Sequence, residues 1–438
     1  MNKTAAVIGG GFAGVEAALQ LARAGVKVTL YEMKPHRFSP AHKSENLAEL
    51  VCSNSFKAER INSAAGLLKA EMEKLGSVCV YAAKQTKVPA GGALAVDRDL
   101  FSALVTELIE KEENITVARQ EVSALPEADC VVIAAGPLAS DALSPVLDEL
   151  CGEGLHFFDA AAPIVSADSI DPAFSFAQSR YDRGGEDDYI NCPMNKEEYE
   201  RFYEALITAE GAHLHDVDKK KDVYEGCMPI EVLAKRGKDA IRYGPMKPVG
   251  LVDPNTGHRP WAVVQLRKEN DKGSMYNLVG FQTNLKFGEQ QRVFSMIPAL
   301  HEAKFERFGV MHRNTFMDAP RLLNSGFQLK KQPHIFFAGQ ITGVEGYMES
   351  AASGILAGLN AVRYLNGKDP LQLPEVTMLG ALSSYVADES VKNYQPMGAA
   401  MGLLPPIGEK IRDRAERYAA IADRSLAALD AYIEKEQL

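Results

Sequence analysis

The chain opens on a continuous apolar run, Ala5-Ala6-Val7-Ile8, the pattern of a strand buried on both faces. Glycines follow, and then Val15, Ala18, Leu21 and Ala22 fall on one helical face until Gly25 ends the helix. A second strand over 26–32 completes a β-α-β unit. Residues 34–60 are polar and without period, which in a compact domain marks a functional loop. The pattern predicts helices over 63–75 and 97–111 and strands over 115–118 and 130–134, the last running into Ala135-Gly136-Pro137. From about 176 to 320 aromatics and charges increase, and stretches such as Trp261-Ala262-Val263-Val264-Gln265-Leu266 alternate as antiparallel strands do. A buried-strand pattern returns at 334–339, followed by a Gly/Ala-rich helix over 347–366 and a charged helix over 408–435. The expected fold is α/β. A doubly wound domain in two parts, 1–175 and 321–438, is interrupted by a smaller mixed α/β insertion domain, 176–320.

Composition narrows this. A length of 438 residues outgrows one simple core, and 46% hydrophobic with 24% charged residues is ordinary for a globular protein in water. No apolar run reaches the roughly 18–20 residues of a membrane helix, and no signal core precedes the first strand, so a cytoplasmic protein without membrane contact is expected. The six cysteines (52, 79, 130, 151, 192 and 227) form no C-x-x-C pair, which argues against zinc or other metal sites and against thioredoxin-like chemistry. Net charge is −10, yet residues 219–292 hold 14 Lys and Arg against 8 Asp and Glu. A basic segment within an acidic chain still attracts phosphates, because the local field governs binding.

Gly9-Gly10-Gly11-Phe12-Ala13-Gly14 is a G-x-G-x-x-G between strand and helix. Gly9 allows the tight turn, Gly11 lets backbone approach a pyrophosphate, and Gly14 lets the helix pack on the sheet. The helix start offers unpaired N–H groups to phosphate. Glu32, at the end of the second strand, suits a ribose diol and would repel a 2′-phosphate. Two further stretches favour FAD over NAD. Val131-Val132-Ile133-Ala134-Ala135-Gly136 resembles the second strand-to-glycine motif of two-dinucleotide flavoproteins, and Phe337-Ala338-Gly339-Gln340-Ile341-Thr342-Gly343 resembles their last. Gln340 stands where those proteins often carry an acid. The doubly wound domain therefore reads as a Rossmann-like FAD-binding domain of the glutathione-reductase type.

Longer motifs carry a more specific resemblance. Glu49-Leu50-Val51-Cys52-Ser53-Asn54-Ser55-Phe56, Ala90-Gly91-Gly92-Ala93-Leu94-Ala95-Val96-Asp97-Arg98, Tyr224-Glu225-Gly226-Cys227-Met228-Pro229-Ile230-Glu231, Tyr243-Gly244-Pro245-Met246-Lys247-Pro248-Val249-Gly250-Leu251 and Gly339-Gln340-Ile341-Thr342-Gly343-Val344-Glu345-Gly346-Tyr347 span essentially the whole chain. Together they resemble the bacterial methylenetetrahydrofolate-dependent tRNA uracil-5-methyltransferase family, which is related to GidA. The resemblance implies methylation of a T-loop uridine of tRNA (uridine-54). It further implies a methylene from 5,10-methylenetetrahydrofolate, release of tetrahydrofolate, and a hydride from FAD re-reduced by NAD(P)H. Uracil C5 is a poor nucleophile until a thiolate adds to C6. The transferred methylene is two electrons short of methyl, and this is the reason for the flavin.

The resemblance also implies two working cysteines, Cys52 and Cys227. Cys227, in the basic segment, is expected to attack C6, and a neighbouring cation would favour its thiolate. Cys52 is expected on the flavin side. Without their flanking motifs both would read as buried structural thiols. Tyr347 is a candidate to stack on the pterin, with core packing as the alternative. Lys219, Lys220, Lys221, Lys235, Arg236, Lys238, Arg242 and Lys247 are candidate RNA phosphate contacts. The target uridine must leave its stack to meet a thiolate. Alternatives are the same chemistry on 23S ribosomal RNA, a GidA-like wobble-uridine flavoprotein, or a non-catalytic FAD-bound RNA chaperone. The GidA-like protein would need a longer helical extension and a partner, whereas no obligatory protein partner is expected here.

Overall fold

A computed structural model describes residues 3–152, 155–182, 185, 188–212, 228–270, 272–309, 311–392, 394–408 and 411–438. Its first sheet is parallel, in the order Ile335–Phe337, Cys130–Ile133, Thr4–Ile8, Lys27–Glu32, Ile115–Arg119. Val7 pairs Leu30 on one side and Val132 on the other, so the strand that opens the chain is central and buried, as its unbroken apolar run requires. The helix Phe12–Arg23 leaves that strand, and the helix Tyr347–Leu365 lies beside it. Their contact is made by glycine. A Cβ at Gly354 would lie 2.1 Å from the Ala13 carbonyl oxygen, and one at Gly358 would lie 2.8 Å from that of Ala17.

The insertion holds a six-stranded antiparallel sheet, Phe176–Ala177, Tyr189–Met194, Ala262–Lys268, Met275–Leu278, Ile164–Ser166, Phe305–Arg307, and its fifth strand comes from ahead of the expected boundary at 176 because it pairs with Met275–Leu278. It has its own core around Val264, Leu266, Phe281 and Phe294. The alternation expected in this sheet is present, but it does not mark a solvent face. Ala262–Lys268 is buried on both sides, because the face carrying Gln265 and Arg267 is covered by other parts of the chain. A small sheet of Ser55–Ala58, Ala93–Val96 and Lys87–Val88, and the helices Val78–Gln85 and Met378–Ala387, were not anticipated. Two of these elements begin on borrowed carboxylates. Glu16 accepts from Cys79 N at 2.9 Å, and Glu71 accepts from Met378 N at 2.7 Å. Burial raises the pKa of both acids. No helix among the described residues is long and apolar enough to cross a membrane.

Replacing Gly354 with Ala should force the two helices apart, at a cost of about 1–3 kcal/mol. Urea unfolding should show the loss, and the variant should purify with less bound flavin, because the displaced helix starts at the dinucleotide cleft.

Candidate functional site

Gly9 leaves the central strand with φ +102°, and a side chain there would meet the Ala134 carbonyl at 2.5 Å. Gly14 sits under the same turn, where a Cβ would be 1.8 Å from the Gly9 oxygen. At Gly11 a Cβ would meet nothing within 4 Å, so the turn is open on the side a ligand would approach. Gly11 caps the helix without a side-chain bond, which leaves the first N–H groups facing the cleft. Glu32 lies across the cleft, accepting from Gly10 N and Lys34 N, both at 3.0 Å. Gly9, Gly10, Gly11, Phe12, Ala13, Glu32, Gly136, Gly339, Gln340 and Tyr347 all line this cleft, while Gly14 supports it from below. Gln120, Val122 and Leu138 also line it and carry no sequence signal. A glycine cradle, a bare helix start and an oriented carboxylate fit a dinucleotide such as FAD.

Tyr347 begins the long helix, and its ring lies 4.8 Å from Phe12 and edge-on to Phe56. It forms the wall between the cleft and a second cavity of about 310 Å³, lined by Cys52, Lys57, Arg267, Asn277, Gln282 and Glu349 among others. The phenol oxygen accepts from Val51 N at 2.9 Å and Cys52 N at 2.8 Å, and it lies 3.0 Å from Cys52 Sγ. Two incoming N–H groups occupy its lone pairs, so its own proton points at the sulfur. Burial first, and then the neighbouring thiol, push the phenol well above its ordinary pKa and keep it a donor.

The loop that carries Cys52 is held from the other side by arginines. Arg98 donates to the carbonyls of Leu50 and Cys52, both at 2.7 Å, and also to Glu269. Arg307 donates to the Val51 carbonyl. Arg267 reaches Ser53 Oγ at 2.9 Å and Asn54 Oδ1 at 3.1 Å. Burial works against the Arg98 charge, but Glu269 outweighs it and raises the pKa. Arg267, Glu269 and Arg307 belong to the insertion, so the loop is fixed at the domain junction. Arg98 ends the motif Ala90–Arg98, but spacing alone gives it no role. Asn277 and Gln282 gave no signal.

Of the candidate RNA contacts, Lys235, Arg236, Lys238 and Lys247 are exposed beside Tyr243, which is 69% exposed. Lys238 pairs with Glu200 at 3.0 Å. Arg242 is largely covered, its guanidinium 3.8 Å from the centre of the Trp261 ring. Cys227, Lys219, Lys220 and Lys221 lie outside the described residues. Beside that segment, Ile230 donates to the Gln282 carbonyl at 2.7 Å. Glu231 accepts from Thr283 Oγ1 and Asn284 N, both at 2.8 Å.

This architecture defines a Rossmann-type FAD-binding flavoprotein with an antiparallel insertion. GidA of Aquifex aeolicus has the same fold, with a TM-score of 0.69 at 16% identity over 99% of this chain and 77% of that one. The family described as glucose inhibited division protein A matches residues 4–369. A methylenetetrahydrofolate–tRNA-(uracil-5-)-methyltransferase TrmFO from Acetivibrio thermocellus is 56% identical over 98% of each chain. Its namesake from Lactobacillus johnsonii is 52% identical over the full length of both. The chain belongs to the GidA family and, within it, to the methylenetetrahydrofolate–tRNA-(uracil-5-)-methyltransferases.

Replacing Arg98 with Ala leaves Glu269 buried without its partner, which should cost about 3–5 kcal/mol in urea unfolding. Pairing Arg98→Met with Glu269→Gln should restore much of that stability. Neither variant should recover the wild-type alkylation rate of Cys52, because the clamp on its carbonyl is gone in both.

Proposed function

We propose that this protein methylates C5 of the T-loop uridine-54 of tRNA, with 5,10-methylenetetrahydrofolate as one-carbon donor and NAD(P)H as the source of electrons. The supporting observation is the Cys52–Tyr347 pair, set in the wall shared by the FAD-type cleft and the second cavity. A one-carbon unit in that cavity lies beside both a thiol and the dinucleotide. When bound, FAD supplies the two electrons that turn the transferred methylene into methyl.

The chain's own groups have separate tasks. Cys227 adds to uracil C6 and makes C5 nucleophilic. Ile230, three residues after Cys227 in the sequence, is tied to the Gln282 carbonyl at the cavity wall. Cys52, hydrogen-bonded to the Tyr347 phenol, moves or holds a proton on the flavin side. The aromatic face of Tyr347 packs the pterin. Lys235, Arg236, Lys238 and Lys247, with Lys219, Lys220, Lys221 and Arg242, meet the phosphates of the T arm, and the work is done in the cytoplasm.

The test incubates flavin-loaded protein with methylenetetrahydrofolate, NADPH and unmodified tRNA, and then measures 5-methyluridine. Product should form on tRNA and not on 23S ribosomal RNA; the reverse outcome assigns the other substrate. Cys227→Ala should retain flavin and lower methylation by roughly three orders of magnitude or more. Near wild-type methylation by that variant would exclude Cys227 as the nucleophile. Tyr347→Phe leaves two backbone N–H groups unpaired, a cost of about 1–3 kcal/mol. It should slow methylation and shift the pH at which Cys52 is alkylated upward.

A further inference from the structure

The antiparallel sheet of the insertion has two faces. Val264, Leu266, Tyr276 and Leu278 point into its core. The opposite face carries buried polar side chains in register: Asn191 opposite Gln265, and Arg267 opposite Asn277. The first three are satisfied within the chain. Gln265 donates to Asn191 Oδ1 at 2.9 Å and accepts from Arg180 at 2.6 Å. Asn191 also donates to the Gln178 carbonyl at 2.8 Å, and Arg267 holds Ser53 and Asn54.

Asn277 differs. It is 4% exposed, yet among the described residues its amide makes no hydrogen bond. It lines the cavity that Cys52 shares. Its amide is not sealed either: among the described residues the fully enclosed atoms without partners are Trp261 Nε1, Glu269 Oε1 and Arg424 Nε. A buried amide left unpaired costs about 1–3 kcal/mol, so one that lines a cavity without a partner among the described residues is available to a ligand. Gln282, half-buried on the same wall, likewise has no side-chain partner among the described residues.

We infer that Asn277 reads the imide edge of the target uracil, Oδ1 accepting from N3–H and Nδ2 donating to O4. The inference rests on the methyltransferase reading above. A carboxamide presents one acceptor beside one donor, the complement of that edge. Cytosine reverses both groups, so in this orientation its amino group would face Nδ2–H and its N3 lone pair Oδ1, and only an amide turned over about Cβ–Cγ would fit it. The same contact assists the chemistry. As sulfur bonds to C6, the C5=C6 electron pair moves through C4 onto O4, and the Nδ2–H group already points at the growing charge. No electrons are gained or lost in this step. The pterin also carries an N3–H beside a carbonyl. Uracil is favoured because Asn277 stands on the insertion wall, where Gln282 anchors the segment that follows Cys227.

The experiment uses flavin-loaded protein, methylenetetrahydrofolate, NADPH, and tRNA transcripts with uridine or cytidine at the target position. Asn277→Ala should lower kcat/KM for the uridine transcript by about 10- to 100-fold, with flavin content and the KM for methylenetetrahydrofolate unchanged. Asn277→Asp keeps the shape and offers acceptors only. It should fold, lose rate on uridine, and narrow the preference for uridine over cytidine, which decides the matter if the alanine variant misfolds. Wild-type kinetics in both variants would overturn the inference. A raised KM for methylenetetrahydrofolate with unaltered tRNA kinetics would also overturn it and assign the amide to the pterin. If the wild-type protein leaves tRNA unmethylated, the functional reading itself falls, and this inference with it.

Discussion

Arg98 grips the carbonyls on either side of Val51 while its guanidinium is balanced by Glu269 from the other domain. The Tyr347 hydroxyl takes the N–H groups of Val51 and Cys52 from the opposite side. A loop with no regular structure of its own is thus fixed at consecutive backbone groups. Arginine suits this task because its planar fork reaches more than one acceptor at once, whereas lysine offers a single point charge. Three guanidiniums crowd this loop, and the arrangement is tolerable because carbonyls, side-chain oxygens and a carboxylate meet them. The same contacts that set Cys52 also set the two domains against each other, so site geometry and domain arrangement form one constraint.

A second constraint lies under the dinucleotide cleft. Gly354 and Gly358 let two helices approach until side chains would clash with backbone oxygen. Both helices start at the cleft without side-chain caps, one with Phe12 and the other with Tyr347, and those rings touch. The cleft and the second cavity therefore share one aromatic wall. A group bound in the cleft lies against Tyr347, whose hydroxyl also carries hydrogen bonds to Cys52.

The insertion has a core of its own on one face of its sheet and lends the other face to the site. A strand there with one polar side would normally meet water. Here that side meets the loop at 53–54 and the segment around Arg180, which is why Gln265 and Arg267 are buried. Charge counting treated the cations between 219 and 292 alike, but the fold divides them. Arg267 holds the loop and Arg242 packs on Trp261, while Lys235, Arg236 and Lys247 remain on the surface.

Much of this protein is determined locally. The buried strand, the glycine turn, the helix behind it and Glu32 follow from neighbouring residues, because periodicity and glycine stereochemistry act over a few positions. The long motifs around Cys52 and Tyr347 likewise mark the family without reference to the fold. Arg98, Glu269, Arg307 and Asn277 could not be assigned that way. The first three act through partners far away in the chain and Asn277 lines a cavity that only the fold creates, and an arginine or an asparagine has no local pattern that separates such a position from a solvated side chain. Burial decided them: only when two domains close over a polar face does it matter which of its groups find partners within the chain.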